Sequence, residues 1–265
     1  MTTAQLDVDE VLERLDQVAS QRPVAAQVVA TTNNDKAGAG ELAAILGADV
    51  ALATKVMRLA NSAYFGLSGK VTSLQFAVTV VGFNTVRSVA TVALAGVDGA
   101  QELPARYWDT SIHLAAASGT VAQQFQQVPT DAMCLGLLAQ LGAALLHQSD
   151  PSGYDEVVAT TGLGSERLIA ETCRYGISGP QLTAEALELW RFPSGMVDAL
   201  REVPHGPAGA LLRTAYELTG RIVEPRHKMT PLDRLSDRRV SESQTRARMA
   251  AITADVQALR SALGL

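Results

Sequence analysis

Asp49-Val50-Ala51-Leu52-Ala53-Thr54-Lys55-Val56-Met57-Arg58-Leu59-Ala60-Asn61-Ser62-Ala63-Tyr64-Phe65-Gly66 reads as one helix with both ends written into it. Asp49 stands where an N-cap carboxylate accepts from the free amides of a first turn. Asn61-Ser62 closes the helix, and Gly66 to Gly69 makes the following turn. An Asn side chain at a helix end bonds nearby backbone and fixes the direction of the chain. Lys55 and Arg58 lie three residues apart on the polar face of this helix. Solvation is the default for such a pair, and contact with an acidic partner or a phosphate is the alternative.

Working outward, the same punctuation repeats. Asp7 or Asp9 caps a first helix whose apolar residues Val8, Val11, Leu15 and Val18 recur at three–four spacing, and Gln21-Arg22-Pro23 ends it. Residues 33–40 form a loop, and a short helix from Glu41 is stopped by Gly47. Ser73 caps a helix that Gly82 closes, and another runs from Asn84 to about Leu94. The polar stretch 98–104 breaks helix and marks a subdomain boundary. Further helices are predicted at 107–126, 130–147, 154–160, 165–175, 180–190, 194–203 and 208–222, with Ser165 as the cap of its helix. Residues 225–240 are polar, basic and irregular, and a last helix runs from about 242 to 263. Its residues Met249, Ile252, Val256, Leu259 and Leu263 follow a coiled-coil spacing too short to stand alone, so they rest on the chain body, on a second copy or on a partner.

Composition agrees with an all-α chain. Aromatics make up only 5% of 265 residues, and small aliphatic side chains suit helix packing better than a pleated sheet. Net charge is −5, but residues 221–265 hold nine Lys/Arg against five Asp/Glu. That makes the end of the chain basic and the remainder acidic, and a docked tail stands beside the plainer reading of a solvated one. Nucleic acid is not an expected partner, because the basic tail has no interleaved aromatics. Cys134 and Cys173 are too few and too far apart for a disulfide framework and are expected as buried reduced thiols. The N-terminal MTTAQLDVDE lacks the basic and apolar regions of a secretory leader, so a cytoplasmic location is expected. The most apolar stretch, 132–146, is too short to span a bilayer and reads as a buried core helix, with no membrane contact.

The segment 49–66, with its Asn61-Ser62-Ala63-Tyr64 centre, resembles the signature of the HDOD family, the HD-related output domain of bacteria. Val71-Thr72-Ser73-Leu74, Ala77-Val78, Val81-Gly82, Tyr107-Trp108, Gly136-Leu137-Leu138, Leu141-Gly142 and Leu189-Trp190-Arg191-Phe192-Pro193 follow in the family's order, and the resemblance covers roughly 20–220. It implies a compact helical fold: an N-terminal helical part over 1–100, an HD-like helical bundle over 101–222, then a basic linker and amphipathic helix over 223–265. HD-type phosphohydrolases hold divalent metal through His and Asp, and the metal-bound water attacks phosphate esters. Carried onto this chain, the first His position falls at Thr110 and the His-Asp pair at Ala139-Gln140. Later positions fall at Ser178-Gly179 and Val203-Pro204, with His205 one place off. Neither Ala139 nor Gln140 replaces a charged or imidazole ligand.

No metal, no cofactor and no catalytic residue is therefore expected. His113 and His147 on neighbouring predicted helices make a poor metal pair without carboxylates, and Asp150 reads as a loop residue. No nucleophile elbow or phosphate-binding glycine loop is present. The leading expectation is a non-enzymatic signal-transduction module that binds partner proteins, with a homodimer among the options. A receptor for a nucleotide second messenger such as cyclic di-GMP, seated in the remnant cleft, is the alternative. A surviving metal-dependent phosphohydrolase is the reading that the missing ligands oppose.

Overall fold

In the computed structural model, residues 6–34, 36–97, 103–225 and 227–264 are described. The chain is all-α, and no strand occurs among the described residues. In chain order the helices are α1 (Val8–Ser20), α2 (Pro23–Thr32), α3 (Ala39–Leu46), α4 (Val50–Ala60), α5 (Leu74–Val81) and α6 (Phe83–Leu94). There follow α7 (Tyr107–Val121), α8 (Pro129–Leu138), α9 (Leu141–Ser149), α10 (Pro151–Thr160), α11 (Ser165–Tyr175) and α12 (Gly179–Leu189). α13 (Ser194–Arg201), α14 (Ala210–Val223), α15 (Leu232–Leu235) and α16 (Thr245–Leu263) complete the set. The boundary expected at 98–104 falls largely outside the described residues.

Two units emerge: residues 14–101 with 253–265, and residues 1–13 with 102–252. In the first, Asp49 Oδ1 caps α4 by accepting from the amides of Ala51 at 2.9 Å and Leu52 at 3.0 Å. Ser73 Oγ caps α5 from the Phe76 amide at 3.2 Å. α5 and α6 meet at 103° across Gly82, whose φ of 81° is a conformation that L side chains rarely adopt. α2 opens with Pro23 in its first turn, but its N-cap, Arg22, makes no side-chain capping bond, and its Ala/Val run has little polar face. Packing fixes it instead. The buried Arg87 of α6 bonds the Thr32 hydroxyl at 2.9 Å and its carbonyl, ending α2.

The second unit is built on α7, which packs along α8 and α14, while α9 packs on α12. The predicted continuous helix over 130–147 is corrected: it is α8 and α9, broken at Ala139-Gln140. No Gly or Pro marks that break, so only tertiary packing can impose it. Among the described residues Pro129–Ser149 is apolar enough to cross a membrane by composition, and α5 with α6 passes only as a pair bent by 103°, yet 83% of the Pro129–Ser149 apolar window is buried inside the protein. The helix predicted over 107–126 ends at Val121 and tightens into a 3₁₀ turn over Ala122–Phe125. Ser165 is not a cap: Gly164 holds that position and Ser165 is the first helical residue. Asp150 is no loop spectator, because its Oδ1 caps α10 from the Gly153 amide at 3.0 Å. Cys134 is buried as expected, whereas Cys173 is exposed.

The stretch expected to be irregular after residue 224 contains α15, with Leu232 and Val240 fully buried. Of the C-terminal seam, Ile252, Val256 and Leu259 are buried and Met249 and Leu263 partly so, with Ala262 joining them. The seam is thus covered within a single chain, without a second copy.

Candidate functional site

The break between α8 and α9 puts Ala139 and Gln140, the positions of the expected His-Asp pair, in the wall of a cavity of about 10 Å³. That is about one probe sphere, enough for a single water. Packing explains the small size. A Cβ on Gly142 would lie 1.9 Å from the Gly179 carbonyl, so α9 and the start of α12 touch backbone to backbone. The Gly142 amide also donates to the Thr183 hydroxyl at 2.8 Å.

Polar groups around the cavity satisfy one another. Gln140 Nε2 donates to the Tyr216 hydroxyl at 3.0 Å, and that hydroxyl donates to the Ala139 carbonyl at 3.3 Å. Glu171 of α11 is 2% exposed and accepts from the Tyr154 hydroxyl and from the Gly179 amide, each at 2.7 Å. Burial pushes its carboxyl above the usual range, against the pull of those two donors. Burial likewise raises the Tyr154 and Tyr216 hydroxyls, so both phenols stay protonated donors. Glu171 and its tyrosine partners belong to no motif. The one sequence signal was a carboxylate within the Leu168–Glu171–Tyr175 spacing, where α11 turns its buried side inward.

Of the remaining expected positions only Gly179 joins them, in the wall of the same cavity. Thr110 sits half-buried on α7 and lines neither this cavity nor the larger one near it. Ser178 starts α12, where its amide donates to Gln181 Oε1 at 3.1 Å. Val203, Pro204 and His205 line the larger cavity. His113 Nδ1 donates to the Asp109 carbonyl at 2.7 Å. His147 stacks edge-on against Tyr154 at 6.4 Å, with Nε2 3.4 Å from Asp155. His227 bridges Glu217 and Glu224 at 3.1 and 3.3 Å. Among the described residues no three His, Cys, Asp or Glu side chains converge to hold a metal. An alanine methyl and an amide already bonded to a phenol do not fit a divalent ion.

The residues at the centre of the 49–66 stretch are structural in place. Asn61 Nδ2 donates to the carbonyls of Met57 at 3.2 Å and Val71 at 2.8 Å, and its Oδ1 accepts from the Val71 amide at 3.0 Å. The loop 62–70 is thereby stapled shut. Ser62 Oγ donates to the Leu59 carbonyl at 2.7 Å. Ala63 opens a 3₁₀ turn, and Tyr64 and Phe65 pack edge to face at 5.2 Å. Arg58 is not a free binding residue: its guanidinium donates to the Ser261 carbonyl in the last turn of α16. Lys55 is half-buried and engaged.

These features define a class: an all-helical module whose small internal cavity is filled by its own side chains. The HDOD domain model matches residues 18–205, and the chain belongs to the HDOD family. It is 22% identical over 213 residues to an uncharacterized protein of Treponema pallidum (strain Nichols), covering 74% of this chain and 40% of that protein. The chain therefore spans about two fifths of the length of that curated relative. Its fold resembles a Shewanella amazonensis SB2B structure that carries a phosphohydrolase name, with TM-score 0.72 and 18% identity over 96% of this chain and 97% of that one. A Marinobacter aquaeolei VT8 structure named for signal transduction has TM-score 0.68 and 20% identity, over 99% of this chain and 66% of that one. An HDOD domain protein of unknown function from Geobacter sulfurreducens has TM-score 0.64 and 18% identity, over 97% and 98%.

Proposed function

We propose that this chain is a non-catalytic bacterial signalling module of the cytoplasm that acts by binding partner proteins. One observation carries the reading: Ala139 and Gln140 stand where an HD enzyme needs its His-Asp pair, and Tyr216 closes over them in a cavity of about 10 Å³. A metal-bound water needs imidazole or carboxylate donors to be activated, and the remnant cleft offers none at these two positions. The same volume argues against the nucleotide alternative as first framed, because a second messenger has no room in the remnant cleft. Membership of the family and the signal-transduction name of one relative favour a signalling role.

The test is elemental analysis of the purified chain, with hydrolysis of bis(p-nitrophenyl) phosphate followed in Mn²⁺ or Mg²⁺. The expected result is no stoichiometric metal and no chelator-sensitive hydrolysis. About one tightly held metal per chain, with activity that chelator abolishes, would refute the reading. Capture on the full chain, followed by reconstitution with the purified partner, would then identify what it binds.

A further inference from the structure

Beside the filled cleft, and separated from it by Tyr216 and Leu168, lies an open cavity of about 360 Å³. That volume falls within the range of small-molecule sites, whereas the remnant cleft does not. Its wall is largely apolar, with Leu168, Ile169 and Leu235 contributing, and Ile169 is 62% exposed at the surface. An aliphatic side chain so exposed beside a concave surface gains by covering an apolar ligand.

Arg213 of α14 lines the same cavity. Its Nη1 is committed to the carbonyls of Glu202 at 3.2 Å, Val203 at 3.3 Å and Gly206 at 2.6 Å. Those bonds fix the guanidinium plane. Nε and Nη2 have no hydrogen-bond partner among the described residues. These two nitrogens form the side-on fork of the guanidinium, whose parallel N–H groups match two oxygens of a carboxylate or phosphate. Burial lowers the Arg213 pKa, the mark of a cation short of solvation, and the charges of Asp237 and Glu202 only partly offset this without bonding to it. The carboxylate that does line the cavity, Glu217, is already paired, with Arg221 at 2.7 Å and His227 at 3.1 Å. The cavity therefore presents one cation with unused, oriented donors against an apolar wall.

We propose that this cavity binds a small organic anion, a carboxylate or phosphate monoester on an apolar body, held side-on by Arg213 Nε and Nη2. The site is distinct from the partner-binding reading above and stands or falls separately from it. Cys173 supplies a built-in reporter, because it lines the cavity and is exposed while Cys134 is buried.

The probes are 4-phenylbutyrate, phenyl phosphate and the uncharged 4-phenylbutan-1-ol, titrated calorimetrically into the full chain. A parallel measurement follows the rate at which iodoacetamide alkylates Cys173. At least one anion should bind saturably and slow the alkylation. The alcohol should bind about tenfold more weakly or worse, the loss expected for missing charge-assisted hydrogen bonds. Whichever anion binds identifies the head group. Arg213→Gln should lose the preference for the anion. Should that variant fail to fold, Ile169→Asp decides, since it places a repelling carboxylate at an exposed position of the wall and should weaken the anion by a similar factor. Equal affinity for alcohol and anion, unprotected Cys173 with both anions, or undiminished anion binding by Ile169→Asp would each overturn the proposal.

Discussion

Asn61 is the residue whose role the sequence predicts most directly. An amide at a helix end has both a donor and an acceptor, and the backbone it faces needs both. The structure uses them as three bonds, to Met57 and to both polar groups of Val71. Asn61→Ala strands the Val71 amide and carbonyl together, so it should cost about 1–3 kcal/mol of folding stability. Denaturant unfolding should show a lower midpoint at unchanged slope. An unaltered midpoint would mean that Val71 finds water or another partner at no cost. Asp49 and Ser73 are legible for the same reason, since a cap acts on amides two or three residues away. Glu171 was not legible. Its partners, Tyr154 and Gly179, come from other helices, and nothing in the residues around 171 foretells them. Arg58 is opaque for the same reason, because its acceptor lies about two hundred residues downstream.

Elements follow the same division between local and distant causes. Gly47, Gly82 and Pro23 punctuate helices where they stand, so most helix ends agree with the sequence to within a few residues. The break at Ala139-Gln140 lies in an uninterrupted apolar run, and it exists because α9 must bring Gly142 against Gly179. The segment after α14 looks like a free basic linker because its charges are visible and their partners are not. In place, Glu242 accepts from Arg221 at 2.8 and 2.9 Å, from the Leu232 amide at 2.8 Å and from the Thr245 hydroxyl at 3.0 Å. Arg221 in turn bonds Glu217 at 2.7 Å and the Thr230 carbonyl at 2.6 Å. The bond from Arg221, foremost, holds the Glu242 carboxyl down to about 2. A depressed acid stabilises the fold above its unfolded value of about 4.3 and loses that contribution as pH falls through about 2. Because Glu242 is 46% exposed, solvent screening reduces what the shift is worth. Glu242→Gln should therefore speed amide exchange at Leu232 severalfold at neutral pH, and the gap from the parent should close as pH falls through about 2. Equal exchange at neutral pH would show that α15 is held by Leu232 and Val240 packing alone.

At the scale of the whole molecule, the charge imbalance between the tail and the rest suggests electrostatic docking, and the structure assigns it a smaller part. Lys228 pairs with Glu166 at 2.6 Å, but both are largely exposed, and such pairs contribute little. What holds the end of α16 is apolar burial together with Arg58, a cation at a helix C-terminus bonded to a carbonyl that has no partner within the helix. Residues 253–265 belong to the same unit as residues 14–101, which carry the Asn61 staple. Val256 and Leu259 are 3% and 2% exposed, and burying each is worth about 1.5–3 kcal/mol before the entropy of ordering the helix. Removing residues 253–265 takes away both side chains, Ala262 and the acceptor of Arg58 at once. The truncated protein should bind a hydrophobic dye, lose several kcal/mol of stability in the 14–101 unit, and self-associate in light scattering. Val256→Asp in the full chain should give a weaker form of the same result, because it buries an unpaired carboxylate at the centre of the seam. A truncation that keeps the parent's oligomeric state, stays dye-free and is equally stable would mean that the surface beneath α16 is already complete without it, and that the three–four spacing of Ile252, Val256 and Leu259 has no packing role.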